Sequence, residues 1–306
     1  MLEEKKITIE VPASTGNVGP GFDCIGLAVD IWNKVTIEKS DGAFEILNQG
    51  ISKEKYDSIP IKENLITKGI MLAYPEIDLN NFKIISENNI PFAGGLGSSA
   101  ASISAGLLIG NHLSGNKLNN DDIMQMAIAM EGHPDNATPC IHGGLTISFY
   151  DETKSRWIYK KIETNGDLNI MTFVPNFISE TNQSRKKIPS EVLLKDAVNN
   201  MSRVALLIDS LKSGDYSYLK SATEDFIHQN IRLESFPQIK FLMGAAIEAG
   251  ALGAILSGSG PTLMVFTKGK EFTIDYELKE AARKHNLEGQ ITLTKISNKG
   301  INIINE

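Results

Sequence analysis

The chain has 306 residues, 42% hydrophobic and 22% charged, the balance of a soluble globular protein with one large or two modest domains. A net charge of −7 without a basic block argues against nucleic acid as a partner. Cys24 and Cys140 are far apart and in no metal-ligand spacing, so free thiols are expected rather than a disulfide. The opening Met1-Leu2-Glu3-Glu4-Lys5-Lys6 lacks the apolar core of a signal peptide. The most apolar stretches, 103–110 and 245–256, are too short or interrupted by Glu248 to span a bilayer. A cytoplasmic protein without membrane contact is expected.

The first part reads as strands before helices. Residues 6–11, 25–38 and 81–87 are rich in β-branched and apolar residues and are separated by Gly- and Asn-containing turns. From Ser98 onward small residues line one side and aliphatics recur at helical spacing, which predicts a helix packed closely against a neighbour. A second helix follows, with Asn120 or Asp121 as N-cap and Gly132 as its stop. Strands return at 144–150 and 157–162, and a domain boundary is expected in the polar stretch 164–167, giving domains 1–165 and 166–306.

The second half opens on a strand at 169–174. Helices are predicted over 189–212, with Pro189 at a first helical position, and over 215–232, with Gly214 between them. A third helix, 238–249, leads through 253–256 and a Ser-Gly-Ser-Gly-Pro turn into a strand at 262–267. A helix at 272–285 and a strand at 290–296 complete an α+β pattern.

The strongest chemical signal is the run Pro91, Phe92, Ala93, Gly94, Gly95, Leu96, Gly97, Ser98, Ser99, Ala100 and Ala101. Its glycines let the backbone turn tightly and approach an anion. It then enters a helix whose first amides are unpaired and whose dipole favours negative charge. No Lys follows the last glycine, as a Walker A loop requires, and the Rossmann Gly-x-Gly-x-x-Gly spacing is absent. A Gly-rich turn that merely caps a close-packed helix is the competing reading.

Three ordered blocks resemble the motifs of the GHMP kinase superfamily: Val11 to Asp23 (VPASTGNVGPGFD), the glycine-serine run, and Leu256 to Thr262 (LSGSGPT). The wording around Asn17 and Gly21-Phe22-Asp23, with His133-Pro134-Asp135-Asn136, is most similar to the homoserine kinase branch. The resemblance implies a two-domain fold, with a first domain like domain 2 of ribosomal protein S5, left-handed β-α-β crossover included, and a ferredoxin-like second domain. It implies an ATP-dependent phosphotransferase acting on the hydroxyl of L-homoserine on the route to threonine, with Mg²⁺. Alternatives are another GHMP activity of mevalonate type and a non-catalytic sensor of ATP and metabolite. A homodimer is left open.

Site roles follow from the same resemblance, each beside a plainer reading. Asn17 and Asp23 are expected to hold the amino-alcohol, where Asx turn chemistry would also place them. Thr181, Arg185 and Arg232 are expected at the acceptor, the arginines as carboxylate clamps, though exposed arginines are more often solvated. Asp135 or Asn136 would orient the hydroxyl, and His133 is either a general base or a pocket wall. Glu131 and Ser98 are the magnesium candidates. Glu131 otherwise stands unfavourably at a helix C-terminus, where the dipole disfavours an acid. Asn64 is carried as an adenine contact, although an N-cap would look the same. The 257–261 turn either supports the phosphate loop or is a plain hairpin. The other histidines (His112, His142, His228, His285) lack paired metal spacing and read as structural.

Overall fold

In the computed structural model, residues 6–177 and 185–304 are described. The chain begins with the long antiparallel pair β1 (Lys6–Gly16) and β2 (Ile25–Lys39), followed by β3 (Glu45–Gly50), the short α1 (Lys53–Asp57), α2 (Leu65–Ala73) and β4 (Phe82–Asn88). Next come α3 (Ser98–Leu113), α4 (Asn120–Glu131), α5 (Pro134–His142), β5 (Leu145–Asp151) and β6 (Arg156–Ile162). In the first sheet β3 and β4 pair in parallel, while β2 pairs antiparallel with β1, β4 and β5. A register shift at Pro12/Ala13 bends β1, so its end runs on to Gly16 opposite Gly26.

The second half contributes β7 (Asn169–Pro175), α6 (Leu194–Ser213), the one-turn α7 (Leu219–Ala222), α8 (Gln229–Leu233) and α9 (Pro237–Glu248). It continues through β8 (Gly253–Leu256), β9 (Leu263–Thr267), α10 (Glu271–Lys284), β10 (Gly289–Lys295) and β11 (Asn302–Ile304). Strand order β10-β7-β9-β8, all neighbours antiparallel, is the ferredoxin-like arrangement expected. The last strand, β11, leaves this sheet and pairs with β1 of the first. One apolar core joins Ile9, Leu27, Leu107 and Ala137 of the first half to Leu207, Leu211 and Phe266 of the second. That continuity holds the intervening cleft in shape.

Helix α3 meets the close neighbour predicted for it, which is α2. A Cβ on Gly69 would come within 2.7 Å of the Ile103 carbonyl, and one on Gly110 within 2.5 Å of the Ile70 carbonyl. Only glycine lets the two backbones approach so nearly.

Several sequence expectations need correction. The N-cap of α4 is Asn119, in a capping box with Asp122, rather than Asn120 or Asp121. Strand β1 extends five residues past 11 because Ala13, Ser14 and Thr15 are fully buried rather than looped out. The helix predicted from Pro189 starts at Leu194. The helix predicted over 215–232 breaks into α7 and α8. Here side chains capture the backbone: Asp225 accepts from the amides of Ile227, His228 and Gln229, and Asn200 Oδ1 accepts from that of Phe226. These bonds replace the helical ladder between α7 and α8. Helix α5 has no counterpart among the predicted elements, which pass from the stop at Gly132 directly to a strand at 144–150. Pro134 occupies the first helical position, where no donor is needed. Pro139 cannot donate to the Asp135 carbonyl, and Gly26 packs directly against that oxygen.

Candidate active site

The cleft holds about 600 Å³ and is walled by the β1–β2 loop, the α1 region, the glycine-serine run, the α4–α5 junction, Arg185, Arg232 and the Gly258-Ser259 turn. The predicted residues Asn17, Asp23, Asn64, Phe92, Ala93, Gly95, Gly97, Ser98, Ser99, Glu131, His133, Asp135, Asn136, Arg185 and Arg232 all line it. Leu96, Ala100 and Ala101 instead point into the core. Thr181 lies outside the described residues.

The phosphate-loop candidate is shaped by bonds to its carbonyls. The Gly94 carbonyl accepts from Thr262 N at 3.2 Å and from the Thr262 hydroxyl, Gly95 O accepts from Ser257 Oγ at 2.7 Å, and Leu96 O accepts from Ser14 N at 3.1 Å. With its acceptors turned into the protein, the run leaves the amides of Gly95, Leu96 and Gly97 without a hydrogen-bond acceptor among the described residues. Gly97 then caps α3 in the left-handed region (φ 71°) with no side-chain hydrogen bond to the helix end. Free amides beside a positive helix end form an anion cradle. Gly95 is obligatory here: φ is 87°, and a Cβ would lie 2.5 Å from the Ser257 carbonyl. The 257–261 turn thus buttresses the loop, and Asn17 Nδ2 ties it to the first motif by donating to Gly258 O at 3.0 Å.

Beside this cradle the cleft becomes apolar. Tyr56 meets Phe92 edge-on at 5.1 Å, with Ile59, Leu65 and Met130 around them. Burial pushes the Tyr56 phenol up to about 12, with the Ser98 hydroxyl acting in the opposite direction. Asn64 is the N-cap of α2, its Oδ1 accepting from Ile66 N at 2.9 Å, and it lines the cleft as well. Tyr56 and Ile59 were not singled out, because nothing in the polar stretch around them distinguishes cleft from surface.

At the α4–α5 junction, Gly132 (φ 86°) ends α4 and turns the chain so that Glu131 and Asp135 face one space. Ser99 donates to Glu131, while Ser98 Oγ accepts from Ala93 N at 3.3 Å. The hydroxyl touching the expected magnesium carboxylate is therefore that of Ser99. Burial raises the pKa of Glu131 and Asp135 adds repulsion, against opposing help from Ser99 and His133. A buried carboxylate so placed favours a cation beside it. Asp135 is buried and accepts from His133 Nδ1 at 2.6 Å and from Asn136 Nδ2 at 3.2 Å. Asn136 Oδ1 accepts in turn from Ser14 Oγ at 3.1 Å. Burial opposes charge on His133, but the Asp135 hydrogen bond and the charges of Asp135, Glu131 and Asp23 outweigh it and raise its pKa. Gly16 backs onto the Asp135 and Asn136 side chains, where any Cβ would collide.

The far end of the cleft is assembled from both halves. Asn17 (φ 67°) and Asp23 (φ 55°) are both left-handed, and Asn17 Oδ1 accepts from Asp23 N at 3.1 Å. Arg185 grips Asp23 with both terminal nitrogens, one at 3.1 Å. That hydrogen bond is the main reason its pKa is raised. Arg232 is buried, and its Nη1 donates to Gly258 O at 2.7 Å and to His228 Nδ1 at 3.3 Å; its Nε has no partner. His228 Nε2 donates to Gly19 O at 2.8 Å, so Nδ1 is the acceptor and the ring is neutral. Burial likewise lowers the His228 pKa. His228 therefore belongs to the wall supporting this site, whereas His142 stacks on Tyr159 and His285 on Phe241, away from it.

A two-domain α+β fold with this loop, turn and acceptor pocket defines a small-molecule kinase. The "GHMP kinases N terminal domain" model matches residues 64–144 and the "GHMP kinases C terminal" model residues 207–286; the chain belongs to the GHMP kinases. Within them its relatives are homoserine kinases. One from Clostridium beijerinckii is 35% identical, covering 97% of this chain and 98% of the relative. Another, from Caldanaerobacter subterraneus subsp. tengcongensis, is 37% identical over 85% and 83%. The crystal structure of homoserine kinase from Cytophaga hutchinsonii superposes with a TM-score of 0.85 at 26% identity, covering 99% of each chain. Among the described residues no helix is long and apolar enough to cross a membrane.

Proposed function

We propose that this chain transfers the γ-phosphoryl group of MgATP to the hydroxyl of L-homoserine. The observation that carries the proposal is the pairing, in one cleft, of an amide-lined anion cradle with a carboxylate and two guanidinium groups. A zwitterion bearing an alcohol fits that far end: Asp23 answers an α-ammonium, and Arg185 and Arg232 answer a carboxylate. The apolar end around Tyr56 and Phe92 suits a purine ring, with Asn64 beside it.

Glu131, with the Ser98 and Ser99 hydroxyls next to it, would hold the magnesium ion. That ion neutralises charge on the phosphate oxygens when bound. The Asp135 carboxylate, fixed by His133 and Asn136, stands where it can accept a hydrogen bond from the acceptor hydroxyl. Phosphoryl transfer through a loose transition state asks mainly for alignment and charge neutralisation, which the rigid α4–α5 junction provides.

The test is ADP release with homoserine, mevalonate and galactose as competing acceptors. Homoserine should be turned over with the highest kcat/KM. Turnover of mevalonate alone would overturn the assignment, and binding of ATP and homoserine without ADP release would favour a sensor.

A further inference from the structure

The two arginines at the acceptor end share a support that is itself no candidate ligand. Phe22 lies between Asn17 and Asp23 in the β1–β2 loop, half-buried. The Arg185 Cζ is 5.6 Å from its ring centroid and the Arg232 Cζ is also 5.6 Å away. The His228 ring packs on it as well, 5.2 Å between centroids and tilted by 34°. Two cations and a neutral imidazole thus converge on one aromatic ring.

The arrangement needs a physical reason, because the guanidinium groups repel and Arg232 is buried. Burial is the largest influence lowering the Arg232 pKa; the charges of Asp135, Asp23 and Asp225 oppose it, and that of Arg185 adds to it. No carboxylate is paired directly with Arg232, whose hydrogen-bond partners are the Gly258 carbonyl and His228. A ring face does attract cations, and more strongly where water is excluded. The loop in turn is held: Pro20 O accepts from Asn200 Nδ2 at 3.2 Å and Gly19 O from His228 at 2.8 Å, so α6 and the residue capping α8 pin the chain just before Phe22.

Building on the carboxylate-clamp assignment of Arg185 and Arg232, we propose that Phe22 is a positioning residue for the acceptor. Its ring holds both guanidinium groups side by side so that one incoming carboxylate meets the pair, with Arg185 shared between it and Asp23. The residue touches no reacting atom, and its effect belongs to acceptor affinity rather than to the chemical step.

The experiment is steady-state kinetics of Phe22→Leu with two acceptors, homoserine and 2-amino-1,4-butanediol, the latter lacking the carboxylate. The homoserine KM should rise roughly five- to thirty-fold, as for the loss of one desolvated cation–π contact. The KM for ATP and kcat should stay within about two-fold, and kcat/KM for the diol should not change. Phe22→Trp and Phe22→Tyr should restore the homoserine KM. A wild-type homoserine KM in Phe22→Leu, or an equal loss on the diol, overturns the proposal. If Phe22→Leu does not fold, Phe22→Met fills similar space without a ring face and must give the same split. Arg232→Gln separates the two levels. If it raises KM for homoserine but not for the diol, the clamp assignment stands whatever Phe22 does; equal losses on both acceptors remove the assignment itself.

Discussion

The two ends of the cleft are built by different means. The phosphate end is made of backbone: Gly94, Gly95 and Leu96 turn their carbonyls onto Thr262, Ser257 and Ser14, leaving amides for an anion. The proposed acceptor end is made of side chains from four separate segments, carried by residues 17–23, 133–136, 185 and 228–232, around the Gly258 carbonyl. A backbone site needs little beyond glycines in sequence, whereas a side-chain site needs the whole fold to bring its parts together. Damage to the first should strike turnover, and damage to the second acceptor affinity.

The largest effect is expected where both ends meet, at Glu131. Glu131→Gln should lower kcat about 100-fold or more, by analogy with losing a charge-stabilising group or metal ligand. Homoserine binding measured by calorimetry without nucleotide should change little. A kcat within a few-fold of wild type at saturating magnesium would place the cation elsewhere.

Gly95→Ala comes next, since it forces a side chain into a left-handed residue and against the Ser257 carbonyl. It should cost about 1–3 kcal/mol of stability through strain at this position, read as a lower denaturation midpoint. The KM for ATP should rise with it while homoserine binding is spared. Equal weakening of both ligands would mean that the two ends are less independent than their construction suggests.

The smallest effect is a pH dependence at the junction. His133 has its folded pKa raised above the unfolded value near 6.5, so the folded state binds the extra proton more tightly. Its stabilising contribution is complete below that unfolded value and is lost as pH rises through the folded one. The ligand-free protein should therefore lose a little thermal stability as pH rises above about 6.5, and His133→Gln should flatten that slope. An unchanged slope in the variant would assign it to other groups.

Much of this division could already be read in the chain. The glycine-serine run carried its anion-binding character locally, because positive φ, free amides and a helix start follow from neighbouring residues. The ferredoxin-like order was implied by the family resemblance, and close packing of α3 against a neighbour by small residues at helical spacing. Harder to see were elements whose local signal was overruled. Asp225 and Asn200 split a helix that apolar spacing predicted as continuous, and Ala13-Ser14-Thr15 became strand only because β2 lay opposite. Helix α5 carries two prolines, yet it presents Asp135 and Asn136 to the cleft because Gly16 and Gly26 make room behind them.

By itself, the amino-acid sequence determined the family, the glycine-rich turn that opens α3 and the polar residues available to the cleft. Only the tertiary structure decided their partners: Ser99 rather than Ser98 on Glu131, Arg185 on Asp23, and Phe22 beneath two guanidinium groups. The reason is physical. Backbone conformation is set mainly by residues a few positions away, while the pairing of side chains depends on packing between segments distant in the chain.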